Sequence, residues 1–175
     1  MNSKRLEALA NITTIFVSLL LSAVLVKVFL LPTGISTHAS TNHLQAAKGT
    51  SLKESLPGVD WARNRRTLVL AISTKCHFCT ESAPFFQRVG KERARDVKLL
   101  AVLPQPVDEA RKYLQSEGVQ VDDVRQTTLA SIGVSGTPTL LLVDKSGTVS
   151  DAWQGKLPAD GEQEVLAALR SNASK

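Results

Sequence analysis

The chain has 175 residues, with 21 Lys and Arg against 16 Asp and Glu, 43% hydrophobic residues and two cysteines. That is room for one ordinary domain of about 120 residues plus an appendage, and the composition excludes both a disordered chain and a disulfide-stapled miniprotein. The net charge of +5 is scattered, densest at Arg63, Arg65 and Arg66. No aromatic or groove-reading residues accompany it, so no nucleic-acid partner is expected; contact with anionic lipid or an acidic partner stays open.

From Ile12 to Leu31 the chain reads ITTIFVSLLLSAVLVKVFLL. At about 1.5 Å per residue this run spans the roughly 30 Å of a hydrocarbon core, and Lys27 lies near its far end, where a long side chain can snorkel. Lys4 and Arg5 precede it, offset only by Glu7. The positive-inside tendency then keeps residues 1–11 in the cytoplasm and exports the rest. The expectation is a single-pass membrane protein with its anchor at 12–31 and its domain in the periplasm or another extracytoplasmic space. A cleavable signal peptide ending near Thr37-His38-Ala39 is the alternative, and it exports the domain equally. A buried helix of a soluble protein is a third reading.

Residues 32–53 are rich in Ser, Thr, Gly and Ala, without periodicity, and read as a flexible linker. His38 and His43 lie in it as solvated residues, with no Cys, Asp or Glu beside them to complete a metal site. The globular domain is expected over 54–175. Thr67 to Ser73 is a short apolar run fit for a strand buried on both faces. Cys79 to about Arg95 suits a helix, with Phe85, Phe86 and Val89 at helical spacing. A second buried strand, Val97 to Leu103, precedes a helix over Val107 to Glu117 that Gly118 stops. Asp123 to Ile132 is expected as a shorter helix. Thr139 to Val143 and Thr148 to Trp153 form a hairpin about Asp144-Lys145-Ser146-Gly147, and Gly161 to Ser171 is a closing helix. This order predicts an α/β fold, a mixed sheet covered on both faces.

The two cysteines stand in Cys76-His77-Phe78-Cys79, directly after a buried strand and at the start of a helix. Positions i and i+3 are helix neighbours, close enough for the sulfurs to bond. At the helix amino terminus, free N–H groups and the macrodipole favour a thiolate, which can bring its pKa from about 8.5 into the range of roughly 3.5–7.5. Cys76 is therefore the expected attacking nucleophile and Cys79 the resolving thiol. Lys75, His77 and Phe78 surround Cys76 as candidate redox-tuning residues, the first two by favouring its thiolate. Structural zinc lacks a second ligand pair, and a c-type haem site lacks the histidine after the second cysteine, where Thr80 stands. Two inert buried cysteines remain possible as a reading, as does capture of a soft metal such as Cu(I) by the two thiolates and His77.

Four features together resemble the thioredoxin-like superfamily: the strand leading into Cys76-His77-Phe78-Cys79, Pro84 five residues on, Gly136-Thr137-Pro138-Thr139, and the Asp144 to Gly147 hairpin followed by Gly155. The resemblance covers about Leu56 to Ser171. The exported anchor and the run VSGTPTLLLVD are most similar to the membrane-tethered group that includes TlpA and ResA. The resemblance implies a three-layer α/β/α domain behind one transmembrane helix. It also implies a cis Thr137–Pro138 bond facing the cysteines, with Thr137 and Pro138 binding a substrate strand. The implied activity is thiol–disulfide exchange with exported proteins, recycled by a membrane redox partner, with no cofactor beyond the Cys76–Cys79 disulfide. Three positions depart from the family: Lys75 stands where Trp is usual, Leu70 where a buried acid is usual, and His-Phe replaces Gly-Pro between the cysteines. The direction of electron flow is left open by these departures. Trp61 and Trp153 are expected in packing rather than a substrate groove, and Glu81 as a first-turn acid with proton transfer beside Cys79 as its functional version.

Overall fold

The computed structural model describes residues 48–170 and, before them, Ser18 alone. The expected anchor at 12–31, the linker up to residue 47, His38 and His43 thus lie outside the described residues, Ser18 excepted; among the described residues no helix is long and apolar enough to cross a membrane.

The elements follow in the order β1 (Arg66–Ala71), α1 (His77–Glu81), α2 (Ala83–Glu92), β2 (Val97–Leu103), α3 (Val107–Ser116), β3 (Asp123–Gln126), a 3-10 turn (Leu129–Ile132), β4 (Thr139–Asp144), β5 (Val149–Gln154) and α4 (Ala159–Arg170). One five-stranded sheet has the order β3-β2-β1-β4-β5. β1, β2 and β3 are parallel neighbours, while β4 runs antiparallel to β1 and to β5. Successive steps from β1 to β2 to β3 move outward in one direction, so two right-handed crossovers place α2 and α3 on the same face.

Side chains alternate across the strands, and the two faces build separate cores. Leu68, Leu70 and Ile72 point toward the helices and pack with Phe85, Phe86 and Val89 of α2, Leu114 of α3, and Val165, Leu166 and Leu169 of α4. Val69 and Ala71, pointing the other way, pack with Leu100, Val102, Leu141 and Val143 and are covered by Leu52, Leu56, Val59, Trp61 and Ile132. Full burial of each such aliphatic or aromatic side chain contributes about 1.5–3 kcal/mol.

Three expectations are corrected. Asp123 to Ile132 is not a helix: residues 123–126 pair in parallel with Leu100 to Leu103, and only 129–132 make a helical turn, of the 3-10 kind. The hydrogen-bonding edge of β2 decides this, a long-range partner that local pattern does not display. The long helices all lie on one face; the outer layer of the other is the 52–61 segment and the 3-10 turn, so the three layers are not symmetric. The linker also ends earlier than residue 53. The N–H of Gly49 donates to the carbonyl of Val149 and that of Leu52 to Gly147, both at 2.8 Å, and Leu52 is fully buried.

Candidate active site

After β1 the Ile72 N–H still donates to the Val102 carbonyl, which holds the strand's end beside β2. A short loop then delivers Cys76 to the cap of α1, with φ −99° and ψ 110°, an extended cap conformation. Cys76 and Cys79 are joined as a disulfide with their Cα atoms 5.2 Å apart. The Cys79 N–H donates to Cys76 Sγ at 3.1 Å. Cys76 is half-buried, whereas Cys79 is wholly enclosed in the helix-side core with Leu70. The helix resumes past Ser82 as α2, with Pro84 in its first turn, where a missing N–H costs nothing; the expected single helix over 79–95 is thus two.

The Thr137–Pro138 bond is cis, and the Thr137 carbonyl oxygen lies 3.4 Å from Cys76 Sγ. The Gly155 N–H donates to the Pro138 carbonyl at 2.7 Å, and Thr139 Oγ1 donates to the Gly136 carbonyl at 2.7 Å. The start of β4 is thereby fixed against the cysteine pair. Thr137 remains half-exposed while Pro138 is buried.

Around this centre the charged candidates separate by role. Lys75 is exposed, and its backbone N–H donates to Ser73 Oγ at 3.3 Å. His77 is exposed with Nε2 3.2 Å from Glu81 Oε1, and the other Glu81 oxygen is 3.1 Å from Lys156 Nζ. The Lys156 hydrogen bond, aided by the further influence of Lys156 and His77, outweighs desolvation and holds the Glu81 carboxyl below the usual range. Glu81 is thus an outward-facing carboxylate between Lys156 and His77, poorly placed to shuttle a proton to buried Cys79. Phe78 is 54% exposed, a bare ring beside Cys76, with its centroid 5.7 Å from that of His77. Trp61 and Trp153 are buried, one in each core, as their packing reading expects.

Residues that the sequence did not single out also shape the site. Gln105, just before α3, donates to Ser73 Oγ at 3.0 Å and accepts from the Thr74 N–H at 3.4 Å; Glu109 of α3 accepts from Thr74 Oγ1 at 2.8 Å. They hold the loop that presents Cys76, and Lys156 clamps Glu81 from the loop after β5. Nothing in residue spacing ties positions 105, 109 or 156 to 74–81; only the crossover geometry does. Among the described residues no cluster of three His, Cys, Asp or Glu side chains could hold a metal ion, and the His77 ring is engaged with Glu81 rather than turned to the sulfurs.

No protein-family model matches the chain, and no curated protein matches it. Solved structures do. A candidate thiol:disulfide interchange protein, DsbE of Chlorobium tepidum, is 28% identical over 63% of this chain and 83% of its own, with a TM-score of 0.51. This is a thioredoxin-like protein. The thioredoxin-like domain also superposes on a thiol-disulfide isomerase of Corynebacterium glutamicum (14% identity, 77% of this chain and 99% of that one, TM-score 0.54) and on DsbF of MTB (21%, 61% and 81%, TM-score 0.50). These two likenesses speak to the fold alone.

Proposed function

We propose that this thioredoxin-like oxidoreductase exchanges disulfides with exported proteins from a membrane tether, through Cys76 as nucleophile and Cys79 as resolving thiol. One observation carries the chemistry: a half-exposed Cys76 caps a helix, receives the Cys79 N–H, is bonded to a fully buried partner, and stands 3.4 Å from the Thr137 carbonyl. The exported, single-pass arrangement rests on the apolar run 12–31 and the charges before it.

In the oxidising direction a substrate thiolate attacks Cys76 Sγ, the accessible sulfur. The mixed disulfide forms, and Cys79 leaves as a thiolate that takes up a proton. A second substrate thiolate attacks the substrate sulfur of the mixed disulfide, forming the substrate disulfide and expelling the Cys76 thiolate, so two electrons pass to the pair. The reducing direction is the reverse: the Cys76 thiolate attacks a substrate disulfide and Cys79 displaces the reduced product. In both directions the substrate strand lies along Thr137 and Pro138, whose segment offers backbone groups for β-augmentation. Lys75 lends positive charge to the Cys76 thiolate, while His77 faces Glu81 beside it, and exposed Phe78 gives an unfolded client an apolar contact. One turnover exhausts the pair, so a membrane redox partner must restore it.

The test is insulin reduction and oxidation of a dithiol peptide by the wild type and Cys76→Ser, with the potential set by glutathione titration. Wild-type turnover that Cys76→Ser abolishes is expected. Equal activity in both proteins would refute the assignment, as would no activity in either alongside stoichiometric Cu(I) binding.

A further inference from the structure

The pole of the sheet opposite the cysteines holds a cavity of about 370 Å³ that the redox chemistry leaves unused. Three loops build it because β1, β2 and β3 are parallel and start at the same end. Arg63 and Asn64 precede β1, Arg93 and Arg95 precede β2, and Asp122 precedes β3; Lys98 joins them from β2 itself. Four cations thus face one acid.

Their pairing leaves charge to spare. Lys98 Nζ is 3.4 Å from Asp123, outside the cavity lining, and one Arg93 nitrogen is 3.0 Å from Asp122. Arg93 Nε is shielded from solvent and has no acceptor. Arg63 uses only its backbone N–H, on Asp60, at 3.1 Å. Neither the Arg63 nor the Arg95 guanidinium has a carboxylate partner among the described residues. Planar forks of this kind match a tetrahedral oxyanion two bonds at a time.

We propose that this cavity binds a phosphate oxyanion, carried by an anionic phospholipid headgroup or by a soluble phosphate. The place of the first described residues of the domain favours the lipid. Ser51 bridges Thr148 beside the Asp144 to Gly147 turn, and Asp144 pairs with Arg66 at the start of β1, so the chain arrives at this same pole. The lipid source rests on the membrane-tether reading; the oxyanion site itself does not.

The full chain in neutral-detergent micelles is titrated by calorimetry with inorganic phosphate, dihexanoyl phosphatidylglycerol and dihexanoyl phosphatidylcholine. The double variant Arg63→Gln/Arg95→Gln is measured in parallel, with its rate of exchange with glutathione as a check on fold. Saturable binding of phosphate or phosphatidylglycerol, weakened at least about tenfold in the variant with the exchange rate unchanged, is expected. Binding of phosphatidylglycerol without phosphate identifies the headgroup as the ligand, and binding of both admits the soluble source. Should the Gln variant misfold, Arg63→Lys/Arg95→Lys keeps the charge but not the fork and is expected to show a smaller loss. The proposal is overturned if neither anion saturates, if the variants bind as the wild type does, or if phosphatidylcholine binds equally well.

Discussion

At the scale of single residues, the site works by contrast between two chemically identical side chains. Cys76 is held at a helix cap within reach of a client, and Cys79 is sealed among Leu70 and its neighbours. Leu70 offers no proton relay, so the Cys79 thiolate released during exchange has no acid beneath it to protonate it. In the proposed function the outer charges tune rather than create the reactivity. Lys75 is exposed, and an exposed charge contributes at most about 1 kcal/mol, which for a two-electron couple is about 20 mV. Lys75→Gln should therefore make the couple more reducing by no more than about that amount, read by glutathione redox titration. A shift several times larger, or one in the opposite direction, would mean that Lys75 acts by some route other than its charge on the Cys76 thiolate. The nearness of the two cysteines was legible in their spacing, and the cis bond at Pro138 followed only from the family resemblance. Gln105, Glu109 and Lys156 were not legible, because they reach Thr74 and Glu81 from 31 to 75 positions away.

At the scale of elements, the β4–β5 hairpin links the chemistry to the rest of the sheet. Its first residues face Cys76, and its turn is organised by Asp144, which accepts from the Ser146 N–H at 2.7 Å, Ser146 Oγ at 2.6 Å and the Thr148 N–H at 3.1 Å. Gly147 sits there with φ 78°, a conformation glycine adopts without cost. Partial burial pushes the Asp144 carboxyl up, but these three donors outweigh it and leave its pKa below the ordinary value. A depressed folded pKa means the stabilisation is complete above the unfolded value of about 3.9 and fades as pH falls through the folded one. Asp144→Asn should then lose about 1.5 kcal/mol at neutral pH, with the gap to wild type narrowing below about pH 4 in urea melts. A gap equally wide at pH 3 would show that the charge is not what matters. The same scale explains the misread element. Residues 123–126 carry too short a pattern to declare a strand, and their identity comes from Leu100 to Leu103 across the ladder.

At the scale of the whole molecule, the two cores are unequal in origin. One is helix against sheet and was foreseeable from apolar spacing. The other depends on a stretch that looks like linker, where Leu52 is fully buried although its neighbours Ser51 and Lys53 are polar; Leu52 and Leu56 alone are too few to set a periodicity. A fragment beginning at residue 54 should accordingly be less stable than one beginning at 48 by about 2–4 kcal/mol, measured as a lower urea midpoint, and equal midpoints would show that the early segment only rests on the surface. The polarity of the parallel strands has a broader effect. The cysteine pair lies at the rim where β1 finishes and β4 starts, while residues 48–51 run along the opposite rim, beside the Asp144 turn. Disulfide and entry segment are at opposite ends, so a change made at residues 48–51 leaves the surroundings of Cys76 untouched.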